Sequence, residues 1–233
     1  MAEKNNLNDN GDETWVYKFD EEAAHKFRVD VKNKSKRDPN APIIVYIDSY
    51  GGNVDGMAKM IDTMDEIPNP IITVCMGKSM SAGAILLSHG DMRFCSKNSR
   101  IMIHELSAGA FGNVRDIAND TDELMRMNRH WIGLLAKNCC ISGGYNGIRK
   151  VIKDNDNQSI YLDAVMAKQF GIVDCIGVPT TNAAVLYEVL TLKEKEKKHM
   201  RMEDFEKLQK KIAKQGAKKK ARKKKATKKK TKK

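Results

Sequence analysis

The chain has 233 residues, is 41% hydrophobic and 31% charged, and carries a formal net charge of +12 at pH 7. This length can bury one good core with an appendage, and the composition is that of a globular protein. The absence of any 18-residue apolar run excludes a transmembrane helix, and the polar, acidic start Met1–Thr14 lacks the basic end and apolar stretch of a secretory signal.

In chain order, residues 1–13 read as disordered, with almost no apolar content. The body, residues 14–192, reads as one domain of alternating strands and helices. A first helix is predicted over Glu21–Val31, followed by a polar connection, Lys32–Pro42. Ile43–Ile47 is a short β-branched run of the kind found in buried strands. Gly51-Gly52 breaks it, and Val54, Met57, Met60, Ile61 and Met64 then follow at helical spacing. Ile71–Met76 is a second buried strand. Small residues from Gly77 to Ala84 lead into an apolar helix ending near Gly90. Arg93–Cys95 and Ile101–His104 are two more short strands. Val114–Asn138 reads as one long helix, Tyr145–Ile152 as another and Leu162–Phe170 as a third. Ile172–Ile176 is a late strand. This alternation predicts an α/β fold with a largely parallel sheet.

Residues 193–233 read as a charged helix, Lys193–Lys214, and then a disordered Lys-rich tail. Lys207–Lys233 holds 16 basic residues and no acid, which leaves 26 basic against 30 acidic residues elsewhere. The basicity therefore belongs to the tail and not to the fold. Such a run attracts phosphates without sequence preference, so nucleic acid or an acidic partner is one reading of it. A solubilising extension is the other, since the tail has no aromatic residue on which a base could stack. Five cysteines without a CxxC pair argue against a disulfide framework and against a zinc site. They point to a reducing compartment, the cytoplasm. Neither a metal nor an organic cofactor is expected.

Three glycine-marked or polar strand ends could carry chemistry, because open α/β sheets gather their sites at the carboxyl ends of strands. They are Asp48–Gly52, Gly77–Gly83 and His104. A serine nucleophile needs an exposed Oγ at a turn into a helix, whose start supplies free N–H groups and a positive dipole. Ser81, flanked by Ala82 and Gly83, meets this, and Ser79 competes on pattern alone. Neither matches GxSxG, so an α/β-hydrolase elbow is not supported. Small residues here would equally serve tight strand–helix packing. Of the five histidines, His25, His130 and His199 lie in polar helical stretches. His89 ends the helix that Ser81 begins. His104, after an apolar strand, is by elimination the best general base. Gly51-Gly52 suits either an oxyanion hole or an ordinary turn.

Taken together, these segments resemble the Clp protease proteolytic subunit family. Ile44–Gly52 is similar to that family's strand and oxyanion turn, and Gly77–Leu87 to its nucleophile segment. Arg93-Phe94 with Asn98–His104 is similar to its histidine strand, and Ala164–Asp174 to its closing helix and strand. The resemblance spans roughly Phe19–Ile176. It implies a ClpP/crotonase-like core of repeated β-β-α units with a long handle helix, supplied here by Val114–Asn138. It also implies a serine-type endopeptidase acting on protein or peptide substrate inside a ring homo-oligomer, with an ATP-driven (AAA+) unfoldase as a possible partner. Carried over by position, Ser81 is the nucleophile, His104 the base, and the backbone N–H groups of Gly51 or Gly52 and of Ala82 form the oxyanion hole. Met125, Met127, Trp131 and Leu134 would give the handle an apolar contact surface.

The chain departs from the family pattern in four places. The position of the family's triad aspartate falls on Ser159, with Asp154 and Asp156 just upstream as alternatives and Asp163 placed to cap the next helix. Asp48 and Tyr50 stand where the family has asparagine and proline. The N-terminal segment is short, which weakens docking to an unfoldase, and the lysine tail is not a family feature. Several rival readings stay open. One is a dedicated capsid-maturation protease of a virus, acting in host cytoplasm, which the short start and basic tail favour. Another is a catalytically inactive assembly or binding subunit, which the displaced acid favours. An acyl-CoA enzyme on the crotonase architecture explains Gly51-Gly52 but not the pairing of Ser81 with His104. A Ser–Lys dyad through Lys78 has an unsuitable spacing in a tight turn.

Overall fold

The computed structural model describes residues 13–139, 141–156 and 158–179. The expected disordered start, the helix at 193–214 and the lysine-rich tail lie outside these residues. The chain order is β1 (Thr14–Val16), α1 (Glu21–Arg37), β2 (Ile43–Ser49), α2 (Val54–Glu66), β3 (Ile71–Met80) and α3 (Ala82–His89). Then come β4 (Met92–Cys95), β5 (Arg100–Ile103), α4 (Val114–Asn138), α5 (Gly144–Asp154), β6 (Ile160–Leu162), α6 (Ala164–Phe170) and β7 (Cys175–Ile176). No helix among the described residues is long and apolar enough to cross a membrane.

The strands β1-β2-β3-β4-β7 form a parallel sheet in that order. β5 runs parallel to the carboxyl end of β3, and β6 is antiparallel to β5. Alternation along the strands divides the apolar side chains. Ile43, Val45, Ile47, Ile71 and Cys75 join all six helices in one core. Tyr46, Ile72, Val74 and Met92 form a smaller cluster on the opposite face, flanked by Trp15, Ile44, Met76 and Phe94. Strand residues alone make up that second cluster among the described residues.

Several elements exceed or fall short of their sequence-based bounds. α1 runs to Arg37 and not to Val31, because Val31 and Ser35 continue its buried stripe while Lys32 and Lys34 satisfy their charges on Glu66 and Asp30. It ends at Asp38, whose extended backbone suits the following Pro39. β3 does not stop at Met76 but continues to Met80, with Gly77 at φ +88° inside it. The strand expected over Ile172–Ile176 shrinks to two residues, and Leu162 belongs to β6 instead of starting α6. Asp163 caps α6 by accepting from Met166 N–H at 2.8 Å.

Candidate active site

The nucleophile candidate owes its position to the pairing of β3 with β5. Lys78, Ser79 and Met80 sit opposite Arg100, Ile101 and Met102. Ser81 N–H then donates to Met102 C=O at 2.8 Å, which anchors the turn into α3 on the strand that ends at His104. The result is a hydrogen bond of 2.7 Å between Ser81 Oγ and His104 Nε2.

Ser81 holds a backbone conformation that is costly for a residue with a Cβ, φ 56° and ψ −119°. Such strain costs on the order of 1–3 kcal/mol and collects where geometry serves a site. A serine before a helix ordinarily caps it by accepting from the first-turn N–H groups. Ser81 makes no such bond, because its Oγ is turned to His104. The N–H of Ala82 is therefore left over at the start of α3, beside the hydroxyl.

The two serines that compete on pattern are distinguished by burial. Ser79 is fully buried and its Oγ has no hydrogen-bond partner among the described residues, whereas Ser81 is half-exposed at the site. Lys78 is not available as a base for Ser81. Its Nζ is 2.6 Å from Asp48 Oδ1, and this hydrogen bond holds the ammonium above its ordinary range. His89 pairs with Asp65 at 2.8 Å, on the far end of α3, and His25 and His130 are exposed.

The Gly51-Gly52 turn abuts the turn that carries Ser81. A Cβ on Gly51 would lie 2.7 Å from Met80 O and 2.8 Å from Ser81 Cβ, and its φ of +100° suits glycine. Gly51 N–H is already used, donating to Ser49 Oγ at 3.1 Å, while Ser49 Oγ donates to Tyr17 C=O at 2.7 Å. Gly52 N–H enters no hydrogen bond among the described residues. Ser49 thus shapes this turn, and the sequence reading passed over it. Its signal was available, since a hydroxyl two residues before a glycine is a common turn former.

His104 is half-buried, and this desolvation lowers its pKa from the ordinary 6.5. Among the described residues its side chain makes one hydrogen bond, that to Ser81. β5 and β6 pair Ile103 with Ile160, and one further step of that register sets Ser159 opposite His104. Ser159 is half-buried, whereas Asp154 and Asp156 are exposed. None of the three bonds to the imidazole, so these residues bring no carboxylate to its second nitrogen.

An apolar pocket opens beside Ser81 and His104, walled by Val54, Met57, Ile85, Trp131, Ile132 and Leu135. Trp131 and Leu134 lean on the main core. Both stay partly exposed, and of the four residues expected to give the handle its apolar contact surface Met125 is the most open. The exposed apolar residues of that helix are Val114, Ile117 and Met125, with Phe111 just before it.

The parallel sheet, with its crossover helices and a polar site at the carboxyl ends of β2, β3 and β5, defines an α/β protein of the ClpP-like fold. The sequence model of the Clp protease family matches residues 16–180. The chain belongs to that family, whose members are peptidases, hydrolases of the peptide bond.

Proposed function

We propose that the chain is a serine-type endopeptidase in which Ser81 is the nucleophile and His104 the general base. The 2.7 Å contact between Ser81 Oγ and His104 Nε2 carries this reading. Ser81 Oγ attacks the scissile carbonyl as its proton passes to Nε2. The imidazolium then returns that proton to the leaving amine, and a water repeats the sequence on the acyl-enzyme. The tetrahedral oxyanion is received by Gly52 N–H and Ala82 N–H, because Gly51 N–H is held by Ser49. One such donor is worth about 2.7–4 kcal/mol in the transition state.

The apolar pocket receives the substrate side chain next to the scissile bond, so peptides with Leu, Met or Phe there are preferred over charged ones. Ser159 occupies the position of the orienting acid. A hydroxyl can hold a ring but cannot offset imidazolium charge, so turnover is slow compared with an Asp-assisted site. The exposed apolar residues of α4 support its role as a handle between copies in a ring. The sheet face of Trp15, Tyr46, Met76 and Phe94, bare of helices among the described residues, suits an unfoldase partner. A reducing, cytoplasmic setting agrees with buried free thiols at Cys75 and Cys95.

The test is covalent labelling with a fluorophosphonate under conditions that favour assembly. Wild type should label and Ser81→Ala should not. Labelling of Ser81→Ala, or none of wild type, would sink the assignment and leave an assembly subunit as the better reading.

A further inference from the structure

The turn that follows β2 and the turn that follows β3 each supply one backbone donor, Gly52 N–H from the first and Ala82 N–H from the second. Their separation must be held to a fraction of an ångström if both are to meet one oxyanion. The backbone ladder does not do this alone. β2 and β3 stay in register through Ile47 opposite Cys75, but the next pair is Ser49 opposite Ser79. Two residues of advance on β2 are matched by four on β3, so the ladder is interrupted just before both turns.

Asp48 and Lys78 face each other across this interruption. Lys78 Nζ donates to Asp48 Oδ1 at 2.6 Å, the one ion pair joining β2 to β3 among the described residues. The extra length of β3 turns at Gly77, φ +88°, where a Cβ would stand 3.1 Å from Asp48 Oδ1. The same ammonium lies 4.5 Å above the ring of Tyr50, which is 75% exposed. It therefore touches Asp48 near the end of β2 and Tyr50 in the turn after it, while sitting on β3 three residues before Ser81.

We propose that the Asp48–Lys78 pair is a positioning device that sets the gap between Gly52 N–H and Ala82 N–H, with Tyr50 held by the ammonium in place of a ring-locked φ at that position. This rests on the serine peptidase reading above. It accounts together for Asp48, Lys78 and Tyr50, which no catalytic step uses. The two turns are already in contact, with Gly51 against Met80 C=O and Ser81. A shift in one therefore presses on the other. The pair's side chains are 26% and 34% exposed. At such exposure an ion pair adds little to stability, so its loss should be read in rate and not in folding.

The full-length protein, treated with a fluorophosphonate, reports this directly through the maximal rate of Ser81 modification and the half-saturating probe concentration. Asp48→Asn and Lys78→Met should each slow the maximal rate about tenfold or more while leaving half-saturation within about twofold and the melting temperature nearly unchanged. Lys78→Arg, which keeps charge and contact, should retain the rate. The double variant Asp48→Asn/Lys78→Met should be no slower than the slower single, since both remove one interaction. Single variants as fast as wild type, additive losses in the double variant, or Lys78→Arg as slow as Lys78→Met would each overturn the proposal. Labelling that persists in Ser81→Ala would instead overturn the peptidase reading on which it rests.

Discussion

Gly51 and Ser81, thirty residues apart in sequence, touch so closely that a methyl group on the first would stand 2.8 Å from Cβ of the second. Gly51→Ala therefore meets two penalties, one from φ +100° and one from the contacts with Met80 C=O and Ser81. Backbone strain of this kind costs about 1–3 kcal/mol. The displaced turn should slow fluorophosphonate labelling at least about a hundredfold. Labelling kinetics and a thermal melt on the same sample check both figures. A variant that labels at the wild-type rate would show that the two turns are not coupled.

Burial lowers the pKa of His104 below 6.5, and no acid among the described residues counters it. Only neutral imidazole can take the Ser81 proton. The labelling rate should accordingly rise with pH through a midpoint below 6.5 and be flat by neutral pH. The stability sign follows from the same shift. In the window between the lowered folded value and the ordinary unfolded one, the unfolded chain binds the proton and the folded chain does not. Folding is thus weakened as pH falls through about 6.5, and the penalty levels off below the folded value. A midpoint above 7 in the pH–rate profile would contradict this environment.

Ser159→Asp restores a carboxylate to the register position opposite His104. Its charge should stabilise the imidazolium, speed labelling at least about tenfold and move the acid limb of the pH profile upward. Unchanged rate and unchanged limb would mean that position 159 does not face the imidazole. Asp154→Ala and Asp156→Ala, at exposed positions, should leave the profile where it is.

Arg93 binds Asp174 with its backbone N–H, Nε and Nη2, at 3.0, 3.1 and 2.9 Å, and donates Nη1 to the Asn138 carbonyl at 3.0 Å. It ties β4 to the segment before β7 and to the end of α4. The side chains are 12% and 23% exposed, and Arg93→Met removes the guanidinium from a half-buried carboxylate while leaving the residue 93 N–H in place. The expected loss is about 3 kcal/mol, read from the denaturant midpoint. A loss under about 1 kcal/mol would place this pair with ordinary surface ion pairs.

Much of this was legible in the sequence, and the misses have physical causes. The long helix Val114–Asn138 keeps its predicted bounds, because Asn113 and Asp116 form a capping box that fixes its start. β1 and β6, three residues each, were invisible because strands so short exist only through their partners β2 and β5. Gly77 read as a break, yet it lies within β3, since an irregular ladder admits a left-handed glycine. Ser79 and Ser81 were equal on pattern. The resemblance alone favoured Ser81, and packing adds a physical distinction by burying the first and leaving the second half-exposed. The engagement of Gly51 N–H by Ser49 was hidden for the same reason, as was the Asp48–Lys78 pair. Both depend on where side chains thirty residues apart, or two, are aimed.

The sheet order also governs how the chain can be made. β4 meets β7, and β7 begins at residue 175. On a ribosome, the outer border of β4 stays bare until that late stretch has emerged, long after residues 81 and 104 have left the tunnel. A nascent chain thus holds both Ser81 and His104 before its sheet is complete. That interval, with an unpaired strand border on display, is when sticking to a neighbour is the chief hazard of its synthesis.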